Sequence, residues 1–227
     1  MKILTCPAQL QRLEGILRKS LPLALPVFGA VLNINRGNPG QCEVLVDKWP
    51  EFGAVLARPS GEVASGDRGH CMMGVTWCPG TVLGRDWACY ERCWAALGVW
   101  DTGESCWRNW EVLVKGIRGS GGLWGWVPAP GVRVGSLSPS HVDLLNETWP
   151  YGGNARSRRY LAEILGRFPQ VCLQDSSGQP VAWVLTDHFG TGTHSYTLPE
   201  HRRHGHMQVA LTVAAQRAHA RGFPTFG

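Results

Sequence analysis

The stretch from Tyr196 to Arg221 constrains this chain more than any other. A short β-favouring run, Tyr196-Thr-Leu-Pro199, enters a basic turn, Glu200-His-Arg-Arg-His-Gly-His206, and the turn opens an amphipathic helix. Backbone N–H groups at a helix start lack partners inside the helix, and the helix dipole is positive there. Arg202 and Arg203 add donor forks beside them, and Gly205 lets the backbone come close to a ligand. The chemistry suits phosphate oxygens, with Arg202, Arg203, His204, Gly205 and His206 as the binding residues. The competing reading is a solvated basic loop that only starts a helix. A metal held by His201, His204 and His206 has no carboxylate cluster to support it, so none is expected.

Upstream of this stretch the pattern is regular from about residue 136. Ser138-Pro139 reads as a helix cap, followed by turns carrying Val142, Leu145 and Trp149 on one face. A helix from about Ala155 to Phe168 carries Tyr160, Leu161, Ile164 and Leu165, and Pro169 ends it. Val171–Gln174 and Pro180–Thr186 pair around Asp175-Ser-Ser-Gly178, and a third strand covers about His194–Leu198. Residues 1–70 also read as ordered α/β. Leu10, Leu13, Ile16, Leu17 and Leu21 make one helical face, stopped by Pro22 and Pro26. Val27–Asn35 reads as a strand, Arg36-Gly-Asn-Pro-Gly40 as a turn, and Glu43–Asp47 and Phe52–Ala57 as two further strands.

Residues 71–135 differ. They hold eight of the 11 tryptophans and five of the 8 cysteines, with no sustained period of two or 3.6 and no repeat. The reading is an irregular Trp/Cys/Gly-rich segment between the two ordered regions, since tryptophan exposed at this density would drive association. No CxxC pair occurs, and the thiols are expected reduced. The net charge of +5 is dispersed, and the aromatics and arginines occupy different segments, which disfavours nucleic acid. No apolar run approaches the roughly 18 residues a membrane span needs. The N-terminus, with Arg12, Arg18 and Lys19 against Glu14, is read as the first helix of the fold rather than a presequence.

The residues then narrow the class. Leu17-Arg-Lys-Ser-Leu-Pro22, Asn33-Ile-Asn-Arg-Gly-Asn-Pro39 and Val46-Asp-Lys-Trp-Pro50 resemble the N-terminal domain of the glycine N-acyltransferase family. Gly152-Gly-Asn-Ala-Arg-Ser157, Leu198-Pro-Glu-His-Arg202 and Arg221-Gly-Phe-Pro224 resemble its C-terminal domain. The resemblance implies the N-acetyltransferase superfamily fold, a mixed sheet flanked by helices. It also implies a further strand and helix after Arg221-Gly-Phe-Pro224, which Thr225-Phe-Gly227 only begins, so the C-terminal region at 136–227 is expected to be incomplete. The implied activity is acyl transfer from acyl-CoA, as co-substrate, to the amine of glycine or a related amino acid such as glutamine. A monomer with no permanent cofactor is expected, mitochondrial by resemblance, with the cytoplasm as alternative.

Such chemistry needs a pyrophosphate cradle, a donor for the developing oxyanion and a base. The cradle is the 202–206 turn, where Met207 replaces the pattern's last small residue; the donor is a backbone N–H near Thr197 or Leu198. The family's proposed glutamate base falls on Thr191, which cannot take a proton at neutral pH. Asp187, His188 and His194 are the neighbouring candidates, while Glu200 lies on the phosphate side. A non-catalytic or incomplete relative that keeps part of the acyl-CoA site is the alternative.

Overall fold

The computed structural model describes residues 1–60, 75–77 and 129–224. Within them, helices flank two four-stranded sheets in which every pairing is antiparallel. The first sheet has the order β1 (Lys2–Ile3), β2 (Cys42–Val46), β3 (Val55–Pro59), β4 (Val75–Trp77). The second has the order β5 (Arg133–Gly135), β6 (Gln170–Gln174), β7 (Pro180–Thr186), β8 (Gly192–Thr197). The segment read as irregular thus supplies β4 and β5; the rest of that reading lies outside the described residues.

Helix α1 (Pro7–Lys19) forms as its leucine spacing requires, with Leu10, Leu13 and Leu17 buried. The expected strand at Val27–Asn35 is instead helix α2 (Leu25–Asn35). The physical reason is burial on all sides: Val27 to Asn33 are seven consecutive buried residues. A short, wholly apolar run has no periodicity that separates strand from helix. Pro26, read as a stop, sits in the first turn of α2, where proline fits because its missing N–H has no acceptor to lose.

Helix α2 packs between α1, the first sheet and the second half of the molecule. Its core joins Val44, Val46, Val55 and Ala57 of the sheet with Phe223 from beyond the last helix. Asn33 Nδ2 donates to the carbonyl of His188 at 2.9 Å, tying α2 to the β7–β8 turn. A Cβ on Gly190 would stand 3.1 Å from Phe223 and 3.9 Å from the Cα of Gly29, so backbone passes close to backbone there.

The second sheet is covered on both faces, and the alternation of β6 and β7 sorts the two cores. Val171, Leu173, Ala182 and Val184 meet Val209, Ala210 and Leu211 of α5 (His206–Ala220). Cys172, Trp183 and Leu185 meet Leu145 of α3 (Val142–Thr148) and Leu161 and Ile164 of α4 (Ala155–Arg167). Burial on both faces raises the Cys172 thiol to about 12 and makes it inert. Both helices of the α3–α4 pair start on local chemistry. Ser138 and His141 form a capping box before α3, and Asn154 and Ser157 do so for α4.

Candidate active site

Strand β8 is an edge of its sheet among the described residues, and the residues predicted for the site fall at its two ends. At the C-terminal end the chain makes a single 3-10 turn, Pro199–His201, then the basic turn, then α5. Gly205 is the N-cap of α5 with φ 76, and Arg203 has φ 67. The left-handed conformation is unstrained for Gly205, and left-handed residues in a turn are a component of the backbone concavities that accept anions. The N–H groups of Arg203, His204 and Gly205 meet no acceptor among the described residues. Arg202 lies over the Tyr196 ring at 5.4 Å, and its guanidinium donates to the Tyr196 hydroxyl and the Thr197 carbonyl, each at 3.2 Å. Arg202, Arg203 and His204 are exposed, and His206 is buried.

The strand decides between the two oxyanion donors. Leu198 donates its N–H to the Val181 carbonyl at 3.0 Å. Neighbouring residues on an antiparallel strand point their N–H and C=O to opposite sides, so Thr197, paired opposite Ala182, directs both off the open edge. The Arg202 contact to the Thr197 carbonyl shows that direction. A bulge follows: Trp183 pairs with Tyr196 but Leu185 pairs with Thr193, so β8 carries one residue more than β7. His194 sits in this bulge at φ 39, 7% exposed.

The other end is closed. Asp187 organises the β7–β8 turn: Oδ1 accepts the N–H groups of Phe189 and Thr191, both at 2.9 Å. Its residue surface is half-buried while its carboxyl is enclosed, and burial pushes that carboxyl up to about 6 against those bonds. His188 is 3% exposed, packed on Phe168 at 4.7 Å and stacked on Tyr160 at 6.3 Å. Its Nε2 stands 3.5 Å from Glu163 Oε1, too far for a hydrogen bond, and burial holds the imidazole below its usual range. His194 Nε2 meets the Leu145 carbonyl at 2.7 Å, and burial lowers this histidine to about 4.

The three expected bases therefore lie near one another in the chain but not in one site. His188 turns to α4, His194 to α3, and Asp187 into its own turn. Sequence reasoning missed Glu163 as the carboxylate nearest His188, because nothing local links residues on α4 and the β7–β8 turn. A cavity of about 50 Å³, room for a few water molecules, lies against the far end of α5 between Asn33, Thr186, Arg217 and Phe223, away from the basic turn. Among the described residues no cluster of three or more histidine, cysteine or acidic side chains is arranged for a metal ion, and no helix is long and apolar enough to cross a membrane.

A sheet edge left open among the described residues that runs into a basic turn at a helix start, with helices on both sheet faces, defines an N-acetyltransferase-like fold. The crystal structure of a Drosophila protein superposes with a TM-score of 0.59 over 97% of this chain and 85% of its own, at 13% identity. The chain belongs to the aralkyl acyl-CoA:amino acid N-acyltransferase family: one family profile matches residues 1–76 and 127–169, and the profile of its C-terminal region matches 171–227. The stretch between the first two matched parts falls in the tryptophan-rich segment. Among similar proteins, the glycine N-acyltransferase of Bos taurus is 29% identical over 262 residues, covering 100% of this chain and 88% of the relative. The human glycine N-acyltransferase is 29% identical over 96% of this chain and 85% of its own length. The glycine N-phenylacetyltransferase of Bos taurus is 28% identical over 97% and 86%.

Proposed function

We propose that this protein transfers an acyl group from acyl-CoA to the amino group of glycine or a related small amino acid. The observation that carries the reading is the edge of β8, with which no further described strand pairs, leading into the turn at 203–205, whose N–H groups have no acceptor among the described residues. The pyrophosphate of coenzyme A would sit on that turn, with Arg202 and Arg203 supplying charge. The extended arm would run along the edge of β8, about 3.3 Å per residue, bringing the thioester beside the strand.

The reaction then needs little from the protein. The neutral amine attacks the thioester carbon, and the carbonyl oxygen gains negative charge. The outward N–H of Thr197 is the donor placed to receive it. The intermediate collapses as the C–S bond breaks, coenzyme A leaves as thiolate, and the nitrogen sheds its extra proton. With Thr191 at the family's glutamate position and Asp187, His188 and His194 enclosed, water is the acceptor this arrangement supports. The same enclosure favours a second reading, a relative that binds acyl-CoA without turnover. A monomer acting in mitochondria, with the cytoplasm as alternative, completes the proposal. Cell fractionation with an antibody to the chain tests the compartment.

Mass spectrometry of a reaction containing purified protein, benzoyl-CoA and glycine separates the two readings. Benzoylglycine formed above the protein-free rate supports transfer. Coenzyme A binding without product supports the second reading. No binding of coenzyme A by calorimetry removes both.

A further inference from the structure

The acyl-CoA turn carries a feature that phosphate binding alone does not require. His206, the first residue of α5, is 4% exposed, and its Nδ1 has no hydrogen-bond partner. A buried polar atom without a partner costs about 1–3 kcal/mol, so a fold that keeps one has a use for it or fills it with a ligand. The ring faces the basic turn: the His204 ring lies 5.7 Å away and the His201 ring 6.2 Å away. Three imidazoles thus cluster at the turn in which the N–H groups of Arg203, His204 and Gly205 have no acceptor among the described residues.

We infer that His206, flanked by His201 and His204, is a proton-dependent ligand of the pyrophosphate, so that acyl-CoA binds together with a proton. This rests on the acyl-CoA reading above. Without an anion, His206 resists charge. Burial is the main cause that lowers His206 below the usual range, followed by repulsion from His204 and from His201. These two are the titratable groups that bear on it, one from the turn and one from the 3-10 element. Arg202 is turned to Tyr196 and Thr197, and no carboxylate faces the ring among the described residues. A dianion placed among the rings reverses the balance. It attracts the imidazolium, relieves the repulsion and gives Nδ1–H an acceptor. Histidine is the side chain that makes this exchange near neutral pH.

The sign follows from linkage. Binding raises the affinity of His206 for its proton, so ligand affinity grows as pH falls through the bound-state value and levels off below the free-state value. The clean probe is dephospho-coenzyme A, whose pyrophosphate diester gains no proton in this range, titrated calorimetrically into the full chain. Affinity should rise about tenfold between about pH 8 and about pH 5.5, with up to about half a proton taken up per ligand in buffers of different ionisation heat. His206→Gln should flatten the pH dependence to less than about twofold. Because His206 is buried, the exposed His204→Gln is the second variant, expected to shift the affinity rise without changing the circular dichroism. Pantetheine, which lacks the pyrophosphate, should show no linkage. Dephospho-coenzyme A bound equally at all pH values, or with the same proton uptake in His206→Gln, overturns the inference and leaves the acyl-CoA reading standing. No binding at any pH overturns both.

Discussion

The two ends of β8 contain similar residue types and do opposite things with them. The C-terminal end, 198–206, leaves the N–H groups of Arg203, His204 and Gly205 without an acceptor among the described residues, its arginines exposed and one buried imidazole nitrogen without a partner. The N-terminal end, 187–194, commits most of its polar atoms, His188 Nε2 excepted. Asp187 caps its own turn, the His188 carbonyl holds Asn33, and His194 holds the Leu145 carbonyl. An end that is unsatisfied within the protein is prepared for something outside it. An end that satisfies itself is holding the halves together. The difference teaches that titratable side chains at one edge of a sheet mark a catalytic centre only when their polar atoms are left over.

The sharpest way to break this contrast is through pH, because Asp187 and His194 pull in opposite directions. Asp187 is raised to about 6, so the folded state binds its proton more readily than the unfolded one, and its stabilisation is lost as pH rises from about 4 through 6. His194 is lowered to about 4, so its unfolded form binds the proton more readily, and stability is lost as pH falls from about 6.5 toward 4. Each effect is worth up to ~3 kcal/mol. Thermal melts of Asp187→Asn across this range should show a steeper acid loss than the parent, and those of His194→Asn a shallower one. Asparagine tolerates the left-handed backbone at 194. Parallel curves for all three proteins would mean that the closed end is not closed.

The next largest effect is catalytic. Thr191→Glu places a carboxylate at the position to which the family resemblance assigns a base, and a positioned base contributes about 10²-fold or more. The turnover number in the benzoylglycine assay should rise on that scale, with the affinity for coenzyme A unchanged. An unchanged rate would show that the end at 187–194 cannot be reopened for chemistry by one residue.

Packing comes third. Gly40 faces the same closed end, and a Cβ there would stand 2.6 Å from His188 and 2.9 Å from Phe168. Gly40→Val should cost about 1–3 kcal/mol of stability, read as a lower denaturant midpoint, with little effect on coenzyme A binding. The smallest effect belongs to the open end. Arg202→Ala removes an exposed charge, so the melting temperature should hold while coenzyme A binding weakens about tenfold, the scale of one charge-assisted bond. A large loss of stability would make Arg202 a structural strap across Tyr196 and Thr197 instead.

Much of the fold was legible where the determining chemistry is local. The cap at Ser138, the leucine face of α1, the hairpin around Asp175 and the helix start after the glycine at 205 all follow from residues within four positions of one another. The same held for the basic turn, since a helix start and its arginines are neighbours in sequence. What sequence reasoning could not supply depends on partners far along the chain. Val27–Asn33 is a helix because α1, the first sheet and Phe223 surround it, and an apolar run carries no mark of how many sides will be covered. Which of Thr197 and Leu198 offers a free N–H depends on the register against Val181 and Ala182. The fates of Asp187, His188 and His194 depend on burial, and burial is a property of the packed whole rather than of the residue. The sequence alone therefore determined the elements whose signals are local and the basic, donor-rich chemistry of the turn. Tertiary structure decided which polar atoms remain free to use it, because only pairing and packing settle which groups have already found a partner.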